Sequence, residues 1–133
     1  HLTTREFFSE ARARLTENGV LVVDAGHTQD DWRMVEAITA TLLQVFPSVH
    51  AINVPETFNA ILVATARLST AENLGANLAQ LEQPILRQIA TDALNQLRPT
   101  AASSIIFTDD RAPVEQLTNA IILRFAFRQA TLR

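Results

Sequence analysis

Apolar residues recur at helical spacing near the start of the chain. Thr3 and Glu6 have the spacing of a capping box, in which each side chain accepts a hydrogen bond from a backbone N–H group of the first turn. Apolar side chains then follow at Phe7, Phe8, Ala11 and Leu15. The pattern predicts a helix over about 4–17, ended by Asn18 and Gly19, because glycine adopts the left-handed conformation at no steric cost.

A continuous apolar run, Val20 to Val23, comes next in place of an alternation of apolar and polar residues. Such a run is typical of a strand that helices cover on both faces of a parallel sheet, so we expect a central strand. Thr28 and Asp31 can cap a second helix, which Pro47 ends. The apolar positions of that helix are Trp32, Val35, Ile38, Leu42 and Phe46.

Two further apolar segments, 49–54 and 60–66, are predicted as strands. The connection between them, 55–59, is short enough for the two strands to be antiparallel neighbours. The chain then becomes polar and rich in alanine, with a short helix near 72–82 and a longer one from Pro84, since proline suits a first helical turn. The second of these helices is expected to bury Ile85, Ile89, Ala93 and Leu97.

The last part of the chain contains a loop at 98–100, an extended segment at 103–107 and a final helix. One stripe of that helix carries Val114, Leu117, Ile121 and Phe125. Asp109 and Asp110 precede it, where carboxylates can cap the N-terminus of a helix. Two adjacent carboxylates are too few ligands for a metal ion, so we expect a structural role for them.

The element order is helix, strand, helix, strand, strand, followed by a helical extension, which indicates the α/β class with a three-stranded mixed sheet. We divide the chain into residues 1–68 and a helical extension, 69–133, that packs on them as one folding unit. Three strands are too few for a doubly wound sheet, and an apolar strand such as 20–23 left at an edge invites pairing with another chain. The start at His1 without a methionine also suggests a piece of a larger protein.

The amino-acid composition excludes several kinds of catalytic and binding site. The 133 residues include no cysteine and no lysine, so thiolate metal sites, disulfides and Schiff bases are excluded. The net charge of −3 and the scattered arginines disfavour nucleic-acid binding, and no apolar run approaches the length of a membrane helix. The three glycines lie in separate segments, so no dinucleotide-binding or phosphate-binding motif is present. We expect a cytoplasmic protein with neither a cofactor nor a metal bound by this chain.

Several segments taken together resemble a known family. They are HLTTREFF at 1–8, LTENGVLVVD at 15–24, FPSV at 46–49, the strand at 58–66 and TDDRAPVE at 108–115. They are similar to the C-terminal half of spermidine synthase-like proteins, the polyamine aminopropyltransferase-like branch of the class I methyltransferase fold. The resemblance covers nearly the whole chain except the helical insert at about 69–100.

The resemblance implies a Rossmann-like parent whose preceding half carries the glycine-rich turn, the acidic ribose ligand and the catalytic aspartate. The donor would be decarboxylated S-adenosylmethionine, and this chain would supply one wall of the substrate cleft while being inactive alone. The family usually has glutamine where this chain has Asp24, and a tyrosine-containing turn followed by glycine where it has Glu56, Thr57 and Phe58. Both departures fall on substrate-facing positions and argue against a polyamine acceptor.

The predicted substrate-binding residues are Asp24, His27, Glu56 and Thr57. Asp24 lies at the carboxyl end of a strand, where open α/β sheets bind ligands, and its carboxylate can hold a cationic amine. The alternative is that Asp24 caps the following turn and that His27 is a solvated loop histidine. Trp32 is expected in the core or an interface, because no second aromatic residue is spaced to form a stacking platform with it.

The expected partners are the missing N-terminal half, a small amine substrate and a second copy of the chain in a homodimer. Two other functions remain open. The first alternative is the same half of an ordinary S-adenosylmethionine-dependent methyltransferase, which would share the sheet but not the amine site. The second is a non-catalytic assembly or dimerisation module that kept the fold and lost the chemistry.

Overall fold

Four strands form a single sheet in the computed structural model, which describes residues 2–131. The strands are β1 (Val20–Gly26), β2 (Ser48–Asn53), β3 (Asn59–Thr65) and β4 (Leu97–Arg98). Their order across the sheet is β1-β3-β2-β4, and each neighbouring pair is antiparallel. The antiparallel pairing of β2 and β3 confirms the prediction from their short connection.

Five α-helices flank or extend this sheet in the described part of the chain. They are α1 (Arg5–Ala13), α2 (Arg33–Leu42), α3 (Ala71–Asn77), α4 (Pro84–Asn95) and α5 (Val114–Thr131), with a single 3₁₀ turn at Leu78–Gln80. None of the helices in residues 2–131 combines the length and the apolar content that crossing a bilayer requires.

The sheet contains a split crossover unit. Strands β1 and β2 are both antiparallel to β3, so they run parallel to each other, and α2 connects them. A strand, a crossover helix and a second parallel strand form the building unit of α/β sheets. The α/β class is therefore confirmed, but the predicted three-stranded mixed sheet is wrong, since the sheet has four strands with only antiparallel neighbours.

The fourth strand was missed because it is only two residues long. Leu97 and Arg98 pair with Ile52 and Ala51 of β2, whereas the sequence predicted the end of a helix and the start of a loop there. A two-residue strand has too few positions to show the alternation by which strands are recognised. The predicted extended segment at 103–107 forms no strand.

The expectation that β1 is a central strand is also wrong. Within the described residues β1 pairs only with β3, because the β2–β3 hairpin places β3 between the two parallel strands. Leu21 and Val23 are half-buried toward the core, while Val20 and Val22 are 52% and 56% exposed on the other face. The apolar run thus belongs to an edge strand with one uncovered apolar face, and the helices at 69–100 do not hide it.

The core lies between the inner face of the sheet and α2. The predicted apolar stripe of that helix is confirmed, since Val35, Ile38, Leu42 and the following Phe46 are all buried. Further buried side chains come from α1, from the segment before α5 and from α5 itself, namely Phe8, Phe107, Leu117 and Ile121. The N-terminal and C-terminal parts of the chain therefore share one hydrophobic core.

The ends of α1 differ from the prediction in two ways. Thr4, not Thr3, is the N-cap residue and accepts a hydrogen bond from the Phe7 N–H. Glu6 accepts hydrogen bonds from the Arg5 guanidinium at 2.7 Å and from the backbone N–H of Asp109, across the fold, at 3.1 Å, and the capping box is absent. Gly19 does not adopt the left-handed conformation. A Cβ atom at Gly19 would lie 2.7 Å from Leu15 Cβ, so glycine is required there for space.

The predicted buried face of α4 is only half correct. Ala93 and Leu97 are partly buried, but Ile85 and Ile89 are 63% and 57% exposed. The C-terminal half of α4 packs against the rest of the fold, with Leu94 lying beside Gly75 of α3. The N-terminal half of α4 extends beyond these contacts, which leaves its isoleucines in solvent.

Candidate functional site

A cleft of about 600 Å³ opens where β1 ends and β3 begins, and we call it the main cleft. Its walls are mostly apolar and come from α2, α5 and the loop before β3. The apolar residues that border it include Met34, Ile38, Phe58, Val114, Ile121, Ile122 and Phe125. The volume and the apolar lining are those of a site for a small organic ligand.

Asp24 borders the main cleft near the carboxyl end of β1. Its side chain is exposed, and its register partner on β3 is Ile61. Among the described residues that border the main cleft, Asp24 is the one with a carboxylate. Asp24 alternates with Val23 and Ala25, which face the core, so its side chain lies on the sheet face that carries Val20 and Val22.

His27 follows β1 and is 7% exposed, so the alternative of a solvated loop histidine is wrong. Its Nδ1 lies 2.9 Å from the carbonyl oxygen of Thr28, and its Nε2 lies 3.2 Å from that of Asn59. Neutral imidazole can donate to one of these oxygens, and imidazolium can donate to both. Backbone carbonyl oxygens therefore lie against both ring nitrogens, which holds His27 in place as part of the wall of the cleft.

Glu56 and Thr57 lie in a different place from Asp24. They border a second cleft of about 460 Å³, together with Asn53 and Arg98. His27 and Phe58 border both clefts and form the wall between them. The four predicted substrate-binding residues are thus divided between two adjoining clefts, with Asp24 in the main cleft, His27 in the shared wall, and Glu56 and Thr57 in the second cleft.

The turn that carries Glu56 is strained. Glu56 has a φ of 61°, the one positive value of a non-glycine residue in the described part of the chain. The Val54 carbonyl accepts hydrogen bonds from the Thr57 N–H at 3.3 Å and from Thr57 Oγ1 at 2.8 Å. With Pro55 before it, Glu56 occupies the third position of a turn of the kind that favours glycine or asparagine at that site.

A charged cluster anchors α5 to the start of α2. Arg33 binds Asp31 through its Nε at 2.9 Å and through Nη2 at 2.6 Å, and Arg124 of α5 lies 3.7 Å from the same carboxylate. Asp31 is almost completely buried, and the hydrogen bond from the Arg33 side chain lowers its pKa below the ordinary value. Arg128 of α5 pairs with Asp30. These ion pairs hold α5 beside the main cleft.

Trp32 borders the second cleft as part of this packed region. The His27 ring stacks on it, with the ring centroids 3.9 Å apart, and the Arg98 guanidinium lies 5.1 Å from the indole centroid. Protein groups already occupy the stacking surface of the indole. Trp32 also packs against the hydrophobic core, as expected from the sequence, and is no platform for a ligand.

Asp109 does not cap the final helix. Its Oδ1 accepts a hydrogen bond of 2.7 Å from Thr4 Oγ1, and its backbone N–H donates to Glu6, so it supports the start of α1. The final helix starts at Val114, four residues beyond the exposed Asp110. The prediction that Asp109 caps the final helix is therefore wrong, because the turn at 108–111 places this residue against α1.

No group of three histidine or carboxylate side chains within residues 2–131 converges to form a metal site. Comparison with known proteins adds no assignment, since no protein-family model, no curated protein and no solved structure matches the chain. The function must therefore be argued from the geometry of the main cleft and the fold that forms it.

Proposed function

We propose that this chain forms one wall of the substrate cleft of a spermidine synthase-like aminopropyltransferase, and that the main cleft receives the acceptor amine. The observation that carries the proposal is the apolar cleft at the carboxyl end of β1. Open α/β sheets bind ligands at the carboxyl ends of their strands.

The strand arrangement supports this proposal. The crossover from β1 through α2 to β2 is the connection used by doubly wound sheets. The unpaired edge of β1 gives such a sheet a place to continue, because it presents backbone groups that need a neighbouring strand. In our proposal, that neighbour comes from the half of the parent transferase that holds the donor.

The reaction would be a displacement at carbon. The nitrogen lone pair of the acceptor amine attacks the sulfonium-bound methylene of decarboxylated S-adenosylmethionine, the new C–N bond forms, and the C–S bond breaks to release a thioether. The amine must lose one proton, which carboxylates of the other half would accept. The apolar walls of the main cleft would position the amine and exclude water from it.

Calorimetric titration tests the proposal. The transferase that contains this chain should bind decarboxylated S-adenosylmethionine more tightly than S-adenosylmethionine, while the chain alone should bind neither. The opposite preference would identify a methyltransferase. Micromolar binding of either nucleoside by the chain alone would overturn the division of the site between two halves.

An assembly module is the second candidate function, and the exposed edge of β1 favours it. If the edge pairs two copies, light scattering should show a concentration-dependent rise in mass toward a dimer. Val22→Lys should abolish the dimer by placing a charge on the edge strand, while Leu68→Lys, at a 78% exposed position outside the sheet, should leave it intact. A chain that stays monomeric at every concentration would contradict this function.

A further inference from the structure

We infer that the main cleft is a binding site for an uncharged apolar ligand, and that it accepts an amine in the unprotonated form alone. The inference names the class of molecule that the proposed acceptor site takes, and it rests on the proposed function only for the role of that molecule as acceptor. The affinity for an apolar ligand is a property of the cleft itself.

The walls of the main cleft are apolar side chains from three elements. α2 contributes Met34 and Ile38, and α5 contributes Ile121, and all three residues are buried. Phe58, in the turn before β3, meets Phe125 of α5 edge to face, with the ring centroids 5.6 Å apart. An apolar ligand would therefore leave water on entering, which is favourable. The volume of about 600 Å³ is that of a site for a small organic molecule.

Among the described residues, no carboxylate faces the main cleft. Asp24 contributes to the border, but its side chain lies on the face of the sheet opposite to Val23 and Ala25, and so opposite to α2 and α5. The other residue of the border that can ionise is His27, whose charged form is a cation and would repel an ammonium group. The remaining polar residues of the border are uncharged, namely Thr3, Thr28, Asn59 and Thr118.

The charged residues of α2 and α5 within the described part of the chain lie outside this border. Glu36 of α2 and Arg124 of α5 border a separate polar cleft, where Arg124 lies 3.7 Å from the Asp31 carboxylate. Glu56 borders the second cleft. An ammonium group inside the main cleft would lose its hydration without gaining a counter-charge, which is strongly unfavourable. Burial of this kind favours the neutral form of an amine.

Titration of the chain with two isosteric probes tests the inference. The probes are dipropyl ether and dipropylamine, which place an oxygen or a nitrogen atom between the same two alkyl groups. The nitrogen atom therefore cannot stay in water at the mouth of the cleft while the apolar body enters. The affinities are read from the chemical shifts of the methyl groups of Ile38 and Ile121. At neutral pH, where the amine is protonated, we expect the ether to bind at least about tenfold more tightly than the amine.

A change of pH separates the unprotonated ligand from the charged one. Between about pH 7 and about pH 9 the affinity of dipropylamine should rise by about tenfold for each pH unit, because the fraction of free base rises by that factor. The affinity of dipropyl ether should not change over this range. Dipropyldimethylammonium carries a permanent charge and should not bind at either pH.

Substitutions assign the preference to the main cleft. Thr118→Asp adds a carboxylate at the exposed border and should improve the binding of protonated dipropylamine, relative to the ether, by about tenfold. Asn119→Asp adds the same charge to the next residue of α5, which lies outside the border, and should retain the preference for the ether. Asp24→Asn should leave the order of the affinities unchanged, and Phe125→Ala should weaken both probes. The methyl spectrum of each variant shows that it is folded before it is titrated.

Three results would overturn the inference. They are protonated dipropylamine that binds as tightly as the ether, an amine affinity that does not rise with pH, and a dipropyl ether titration that leaves the methyl groups of Ile38 and Ile121 unshifted. In the last case, methyl shifts that change on dilution of the chain alone would assign the cleft to a second copy.

Failure of the proposed function has a different signature. A full protein that prefers the unprotonated ligand but ignores decarboxylated S-adenosylmethionine would retain the inferred apolar site and refute aminopropyl transfer. A full protein that transfers the aminopropyl group but binds protonated dipropylamine as tightly as the ether would do the reverse.

Discussion

Thr4 Oγ1 donates a 2.7 Å hydrogen bond to Asp109 Oδ1, a residue 105 positions away in the sequence. Thr4 is completely buried, and the same hydroxyl oxygen accepts from the Phe7 N–H. The Arg5 N–H donates to the Phe107 carbonyl at 2.9 Å beside it. The start of α1 is therefore joined to the segment that leads into α5, next to the main cleft that Thr3 borders.

Replacement of Thr4 by valine should lower the free energy of unfolding. Valine keeps the shape of the side chain but cannot bond to Asp109 or cap α1, so we expect a loss of about 1–3 kcal/mol. Chemical denaturation measures this loss in the free energy of unfolding. Thr4→Ser keeps the hydroxyl and is the control. Equal stability of the valine and serine variants would show that the buried hydrogen bonds are unimportant.

Two buried threonines of α2 give a matched pair. Thr41 Oγ1 donates to the Ala37 carbonyl at 2.8 Å and accepts from the Phe107 N–H at 3.0 Å. Thr39 Oγ1 is also buried but has no hydrogen-bond partner among the described residues. We expect Thr41→Val to lower the free energy of unfolding by about 1–3 kcal/mol and Thr39→Val to raise it by up to about 1 kcal/mol. Denaturant titration measures the free energy of unfolding of both variants. A larger loss of stability in Thr39→Val than in Thr41→Val would contradict this account.

The strongest hydrophobic patterns predicted their elements well. The stripe at Val35, Ile38 and Leu42 and the stripe at Leu117 and Ile121 are buried as expected, because each repeats over several helical turns. The β2–β3 hairpin was predicted from the short connection between two apolar segments. These features depend on local periodicity, which a single sequence displays directly.

Features that depend on distant contacts were not predicted. The run at 20–23 is apolar on both faces, but whether a strand is central or at an edge depends on where β3 inserts. Glu6 accepts a hydrogen bond from the backbone N–H of Asp109 across the fold, so its spacing from Thr3 wrongly predicted a capping box. In the candidate site, the sequence placed Asp24 near the end of β1, which extends two residues further, to Gly26. It did not show that Phe58 and His27 would separate Asp24 from Glu56.

The ion pair of Asp31 should make stability depend on pH. The hydrogen bond from Arg33 lowers the pKa of Asp31 in the folded chain below its unfolded value of about 3.9. Its contribution is therefore complete above about pH 5 and is lost as the pH falls through the folded value. At neutral pH we expect Asp31→Asn to cost about 1–2 kcal/mol in the free energy of unfolding.

Unfolding measurements from neutral pH to about pH 3 check this prediction. The difference in the free energy of unfolding between the unsubstituted chain and Asp31→Asn should become smaller as the pH falls. Asp30→Asn is the control, because Asp30 and Arg128 are 49% and 60% exposed and such pairs contribute little. If this difference in stability stays constant down to about pH 3, the pH dependence does not come from the Asp31 carboxylate.

Relief of the strained turn should stabilise the chain. Glu56 has a φ of 61°, where a Cβ atom is unfavourable and glycine is not. We expect Glu56→Gly to raise the free energy of unfolding by about 0.5–1 kcal/mol, after the greater freedom of glycine in the unfolded chain is subtracted. Glu56→Ala keeps the strain and should give no gain. A stability of Glu56→Gly at or below that of Glu56→Ala would exclude backbone strain at this position.

The most direct test of the central claim is aminopropyl transfer by the full protein that we propose contains this chain. With decarboxylated S-adenosylmethionine as donor and an amine as acceptor, mass spectrometry should detect the aminopropylated amine. Phe125→Ala should raise the KM for the amine with a smaller change in kcat, because Phe125 borders the main cleft and does not react. Methyl transfer from S-adenosylmethionine, or a KM that Phe125→Ala leaves unchanged, would contradict the account.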